Sequence, residues 1–234
     1  MRLLFLTPQL PYPPHKGTAM RNYYLIANLA ARHEIDLLTF VEAEAQLRQH
    51  TPLSTLCRRI EGVVAPRPSL VRRAAAMLLS PWPDMGLRLW SPGLAARFKA
   101  WLADTPYDLV QIEGIELARY IEIGRRPAEG EHQPSAAGHP KFVFDDHNCE
   151  YVLQQRTFET DLRQPRRWIG AAYSFVQWRK LRAFEAAVCR SASHVLAVSE
   201  ADAAALKRLV PGLEPAIVPN GIDMATVSRY CLTS

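Results

Sequence analysis

One alternation constrains this sequence more than any other feature. Short runs rich in apolar, β-branched and aromatic residues recur along the chain, and a longer stretch of helical pattern follows almost every one. The runs are RLLFLT (2–7), EIDLLTF (34–40), EGVVA (61–65), DLVQIE (108–113), KFVFDD (141–146), HVLAVS (194–199) and AIVPN (216–220). Helical patterns lie at about 18–31, 42–58, 69–80, 91–103, 115–124, 148–158, 166–190 and 199–209. Parallel strands need long crossovers, and crossover helices cover the faces of the sheet they connect. Strands buried on both faces then read as continuous apolar runs, as these do. The expected fold is α/β, a Rossmann-like parallel sheet with helices on both faces. The polar segment 125–141, rich in Gly and Pro, reads as a surface loop, and the chain carries no internal repeat.

With 234 residues the chain can bury a substantial core. Its net charge of +5 favours anionic partners without choosing among them. No recognition-helix motif accompanies that charge, so no nucleic-acid partner is expected. Cys57, Cys149, Cys189 and Cys231 contain no C-x-x-C pair, which argues against a zinc site and for reduced thiols in the cytosol. The opening MRLLFLTPQLPYPP is too soon broken by proline for a signal peptide, and no run reaches the length of a membrane span. The expected location is cytoplasmic, with peripheral contact at the inner membrane as the one extension.

In an open parallel sheet, ligands bind beyond the carboxyl ends of the strands. The segments there are TPQLPYPPHKGT, EGIE (113–116), DDHNCE (145–150), SEAD (199–202) and NGID (220–223). Ser199, with Asp202 three residues on, equally reads as a helix cap. DDHNCE holds more ionisable groups than a cap needs. In the first loop the order is Lys16, Gly17, Thr18 with a single glycine, so both the Walker A pattern and G-x-G-x-x-G are excluded. What remains is a general feature: a glycine allows close backbone approach, and the N–H groups of the next helix attract an anion. Thr18 is a candidate cap for that helix and Lys16 a candidate contact to a phosphate or sugar oxygen.

Five stretches, in order, carry a resemblance: residues 6–40, YDLVQIEG (107–114), KFVFDDHNCEY (141–151), residues 179–209 and AIVPNGID (216–223). Together they resemble the N-terminal domain of the family 4 glycosyltransferases, retaining enzymes built from two Rossmann-like domains (GT-B). The nearest flavour is that of sugar transferases associated with exopolysaccharide and exosortase clusters. The resemblance implies an acceptor-binding domain over 1–222, with 223–234 starting the connection to a second domain. It implies a nucleotide-sugar donor, a glycan or lipid-linked acceptor, and no metal or other cofactor. Lys16, Gly17, Thr18 and Arg21 match the glycine loop and the helix behind it. His147 and Asn148 match the pair that follows the fifth strand and faces the cleft. Asn220 and Gly221 lie in VPNGID (218–223), which matches the stretch where the chain leaves the first domain. Asp146 and Ser199 complete the substrate-binding candidates. Glu113 stands where many relatives carry a histidine. His147 and Glu113 are the catalytic candidates, and His147 is the one whose ordinary pKa suits proton traffic.

The family's donor-binding half, with its Glu-x7-Glu signature, is not expected within these residues. Glu34 and Glu42 have that spacing but bracket a strand, so the match is chance. The chain is expected to be an acceptor half, inactive alone, either clipped from a longer gene or completed by a separate donor-domain partner. The alternative is a non-catalytic subunit of a split glycosyltransferase.

Two segments, 69–102 and 166–184, mix arginines with Leu, Met, Phe and Trp. Either could lie on anionic lipid. The favoured expectation is that the apolar residues face the core and the arginines reach outward.

Overall fold

The computed structural model describes residues 1–15, 17–69, 73, 80–125 and 140–221. Seven strands form one sheet: β1 Arg2–Thr7, β2 Glu34–Val41, β3 Arg59–Val64, β4 Leu109–Glu113, β5 Lys141–Asp146, β6 His194–Ala197 and β7 Ala216–Ile217. Their order is β3-β2-β1-β4-β5-β6-β7, and every pair is parallel. The crossovers run outward from β1 to one side and from β4 to the other. A crevice therefore opens between β1 and β4 at the carboxyl edge. This is the expected Rossmann-like architecture.

Strand alternation divides the core in two. Leu3, Phe5, Ile35 and Leu37 point to one face, where Ile26 of helix Gly17–Ala30 and Leu53 cover them. Leu4, Leu6, Leu38, Phe40, Val110, Ile112, Phe142 and Phe144 point to the other. There they meet Phe98 and Trp101 of helix Pro92–Asp104, Ile121 of helix Arg119–Arg125, and Leu181 and Val188 of helix Trp168–Ser191. Ser91 starts one of these helices by accepting a hydrogen bond from Leu94 N–H, with Pro92 in the first turn, where its missing donor costs nothing.

Several expected elements differ. The helix expected over 42–58 is a 3-10 turn, Glu44–Arg48, and a short helix, Leu53–Leu56. Pro52 has no N–H to continue a helix and disfavours helical geometry at Thr51. The helix expected over 115–124 splits into a 3-10 turn, Ile115–Leu117, and Arg119–Arg125. The seventh strand pairs only at Ala216–Ile217, since Pro219 lacks a donor. Helix Asp84–Arg88 had no sequence-based expectation. Of the helix expected over 69–80, all but 69, 73 and 80 lie outside the described residues, as does most of the loop 125–141.

In the stretch 80–102 the core expectation holds. Leu94, Phe98 and Trp101 are buried, while Arg73 and Arg88 pair with Asp84 and Arg97 pairs with Glu61. Among the described residues no helix is long and apolar enough to cross a membrane.

Candidate functional site

Helix Gly17–Ala30 follows the first loop and sets Arg21 against the carboxyl edge of the sheet. Arg21 is only 7% exposed, and its guanidinium makes four hydrogen bonds. Nε and Nη2 donate to Oδ2 and Oδ1 of Asp145, each at 3.0 Å. Nη1 donates to the carbonyl of Val218 at 2.8 Å and to Oδ1 of Asn220 at 3.0 Å. One side chain thus ties together the first helix, the end of β5 and the segment beyond β7.

Parallel register places Glu113 beside Asp145, both with no exposed surface. Gln111 donates to Oε1 of Glu113 at 2.7 Å, and Oε2 of Glu113 lies 2.7 Å from Nε2 of His147. An ionised carboxylate only accepts, so Nε2 carries the hydrogen and Nδ1 is left for a ligand. Burial works against the imidazolium, but the bond to Glu113 and the charges of Glu113 and Asp145 outweigh it and hold the His147 pKa above its ordinary value. Asp145 is pushed up to about 6 by burial and by the charge of Glu113, against the pull of Arg21 and His147.

The turn after β4 depends on Gly114, which has φ +84° and ψ 161°, a region essentially reserved for glycine. A Cβ there would stand 3.1 Å from Oε2 of Glu116 and 3.5 Å from Nδ1 of His147. Glu116 and Glu150 make this rim acidic. The Glu150 pKa is raised by burial and by Glu116, and a side-chain hydrogen bond from exposed Asn148 opposes the rise. Glu113, Asp145 and His147 offer atoms within 4.8 Å of one another, close enough for a cation to share. Yet Asp145 is already held by Arg21, and Glu113 and His147 hold each other.

Asp146 was expected with this group, but alternation turns it to the opposite face. It is 1% exposed, and neither carboxylate oxygen has a hydrogen-bond donor from the protein. Its neighbours are Cys149 and Glu185, with atoms within 4.8 Å. Glu185 accepts from the N–H groups of Glu150 at 3.1 Å and Tyr151 at 2.9 Å, capping a helix that Cys149 leaves uncapped. Burial pushes Glu185 up to about 7 and Asp146 well above the carboxylate range, the latter also through the charge of Glu185. A proton shared between the two carboxyls gives one of the two Asp146 oxygens its partner.

The remaining candidates scatter along the same edge. Gly17 opens the first helix, and a Cβ on it, as on Gly221, would meet nothing within 4 Å. Thr18 is the second residue of that helix, inside the first turn and not at its cap position. Lys16 lies outside the described residues. Ser199 is the cap of helix Glu200–Leu209: its hydroxyl accepts from Asp202 N–H at 3.1 Å and donates to the Asp202 carboxylate. A hollow of about 350 Å³ lies beside the first loop, lined by Leu10, Tyr12, His15, Phe40, Glu42 and Gln46. A wider hollow of about 520 Å³ lies at the amino edge, around Arg2, Arg32 and His33, away from the crevice where such sheets take ligands.

Sequence reasoning passed over Asp145, Gly114 and Glu185. The first two had signals. In the strand KFVFDD, Asp145 stands on the face opposite Phe142 and Phe144, which would have chosen it over Asp146. Gly114 directly follows a predicted strand.

The profile described as Glycosyltransferase Family 4 matches residues 15–226. No curated protein matches the chain. UGT2 of Phytolacca americana, solved with UDP-2-fluoro-glucose and pterostilbene, superposes with a TM-score of 0.51 at 11% identity, covering 100% of this chain and 57% of its own. The N-terminal domain of Candida albicans trehalose-6-phosphate phosphatase gives 0.49 at 13% identity, covering 100% and 51%. A ugt transferase from Siraitia grosvenorii with UDP gives 0.43 at 10% identity, covering 94% and 48%. The likeness to the Phytolacca americana protein is one of fold. This chain spans about half the length of these solved proteins.

Proposed function

The chain belongs to glycosyltransferase family 4, and on that premise we propose that it is the acceptor-binding half of a retaining transferase that moves a sugar from a nucleotide-sugar to a glycan or lipid-linked acceptor. The observation that carries the reading is the buried Glu113–His147 pair at the carboxyl edge, with Nδ1 of His147 left for a ligand. In the reaction the anomeric carbon exchanges its bond to the diphosphate oxygen for one to the acceptor oxygen, and the acceptor hydroxyl passes its proton to the departing nucleoside diphosphate. His147, held toward its cationic form by Glu113, serves as a hydrogen-bond donor through Nδ1 and stabilises negative charge that develops on the reacting oxygens. Glu113 fixes the ring and Gln111 fixes Glu113. The hollow beside Tyr12, His15 and Glu42 is the place for the acceptor, offering apolar walls with a few polar groups.

Gly17 and Gly221 support a donor-binding domain packed or closed against this edge, since among the described residues nothing would meet a Cβ at either position. The exopolysaccharide assignment rests on the sequence resemblance alone.

The test is sugar transfer from a panel of nucleotide-sugars, assayed with the chain alone and with a donor-binding domain supplied. Product anomers are read by NMR for retention. His147→Ala is expected to lower kcat more than it raises KM, and normal transfer by this variant would sink the site assignment. A rate that falls as pH rises through the His147 pKa supports the donor role. A rate that rises there makes His147 a base instead.

A further inference from the structure

Residues 162–169, LRQPRRWI, are exposed without exception. They form the tip where helix Glu150–Leu162 turns through Pro165–Arg167 into helix Trp168–Ser191. Ile169 is 90% exposed, Trp168 61% and Leu162 53%, and Tyr173 and Phe175 continue the apolar strip along the second helix. The expectation that this stretch faces the core fails here and holds only from Ala171, Ser174 and Gln177 onward on the other side. The tip holds three arginines and no acid. Arg167 is pinned to Asp161 at 3.1 Å, while Arg163 and Arg166 make no ion pair among the described residues.

The hairpin is held in shape. Phe158 meets Phe175 at 5.3 Å and stacks on Trp178 at 6.1 Å, so the two helices run antiparallel with aromatic rings between them. Trp168 Nε1 donates to the carbonyl of Leu162 at 3.3 Å. The bonds from Glu150 and Tyr151 to Glu185 set the level of the hairpin's base, beside Asp146 at the carboxyl edge. Ser193, just past the second helix, bonds Phe142 near the amino end of β5. From Glu185 back to Trp168 the helix therefore rises about 25 Å beyond the carboxyl edge, on the face of the sheet that Asp146 occupies.

We propose that this hairpin tip is a docking surface for an anionic lipid membrane. Leu162, Trp168 and Ile169 enter the boundary between headgroups and acyl chains, and Arg163 and Arg166 meet lipid phosphates. Charge selects the occupant. An isologous contact with a second copy would bring these arginines against one another, and an apolar protein partner would bury them without carboxylates. The boundary of an anionic bilayer satisfies both kinds of side chain, phosphate meeting the arginines and acyl chain the apolar residues. The proposal rests on the transferase reading only for its purpose, which is to hold the carboxyl edge of the sheet near a lipid-linked acceptor.

Co-sedimentation with phosphatidylcholine vesicles, with and without phosphatidylglycerol, tests it. The parent chain is expected to bind only the anionic vesicles. Ile169→Glu, and separately Arg163→Glu with Arg166→Glu, are expected to lower binding about tenfold or more at unchanged melting temperature. Arg32→Glu with Arg2→Glu, a charge change equal to that of the double variant but at the amino edge, is expected to leave binding unchanged. No binding by the parent overturns the proposal, and so does equal loss in this amino-edge variant, which would mean net charge alone. A parent dimer that Ile169→Glu dissociates, without vesicle binding, reassigns the tip to self-association and overturns it as well. The vesicles carry neither acceptor nor nucleotide-sugar, so a negative result leaves the transferase reading standing. Vesicle binding without transfer from any donor does the reverse.

Discussion

Arg21 and Asp145, 124 residues apart, are joined through both carboxylate oxygens at 3.0 Å, with side chains only 4% and 0% exposed. The remaining reach of the guanidinium goes to Val218 and Asn220, so this one pair fixes where three segments of the site meet. Removing one partner strands a buried charge. Arg21→Ala is expected to cost about 3–5 kcal/mol in urea unfolding, and adding Asp145→Asn should recover a good part of it. A loss below 1 kcal/mol would show that the pair organises nothing.

The Glu113–His147 pair gives a pH signature. The folded pKa of His147 lies above its ordinary 6.5, so its contribution to stability is fully present below that value and is lost as pH rises through the folded pKa. NMR titration of the ring is expected to show a midpoint above 6.5 in the parent. In Glu113→Gln the accepting charge is gone while burial remains, so the midpoint should move down. An unmoved midpoint would mean that Glu113 does not set the state of the ring.

The buried carboxyl pair predicts a second pH dependence. Glu185 is raised from 4.5 to about 7, so the stability it contributes is present below 4.5 and is lost as pH rises toward 7. Asp146→Asn removes the neighbouring charge and supplies an amide donor to Glu185. The variant is expected to be more stable than the parent at pH 8, by about 1–3 kcal/mol, with a flatter stability profile between pH 4.5 and 7. Melting temperatures across that range read it directly, and a variant less stable at pH 8 would refute the shared proton.

Gly114→Ala forces a side chain into a backbone region that only glycine occupies freely, at about 1–3 kcal/mol. Its Cβ would also crowd Oε2 of Glu116 at 3.1 Å and lie against Nδ1 of His147 at 3.5 Å, where a ligand would otherwise approach. Activity should therefore fall further than stability accounts for, measured as transfer at a temperature where the variant is fully folded. Parallel losses would make Gly114 a structural residue alone.

The strands were legible because burial on both faces writes itself into a continuous apolar run, as in RLLFLT and KFVFDD. Helix 199–209 was legible through Ser199 and Asp202, a cap confined to four residues. The expected helix over 42–58 failed because its periodicity outweighed one proline in the reading, whereas the backbone obeys Pro52. Asp145 and Asp146 show the limit within the site. The sequence offers two adjacent carboxylates, and only the orientation of the pleat sends one to Arg21 and the other to Glu185.

By itself the sequence determined the α/β class, the seven strand positions to within a few residues, and the gathering of polar groups at strand ends. These follow from hydrophobic period and turn chemistry, which act over neighbouring residues. Tertiary structure alone decided that β4 lies beside β1, that Arg21 finds Asp145, and that Ile169 stands in the open while Trp101 is buried. Such outcomes depend on which face of a strand or helix meets another element, and residues far apart in the chain fix that only once they pack.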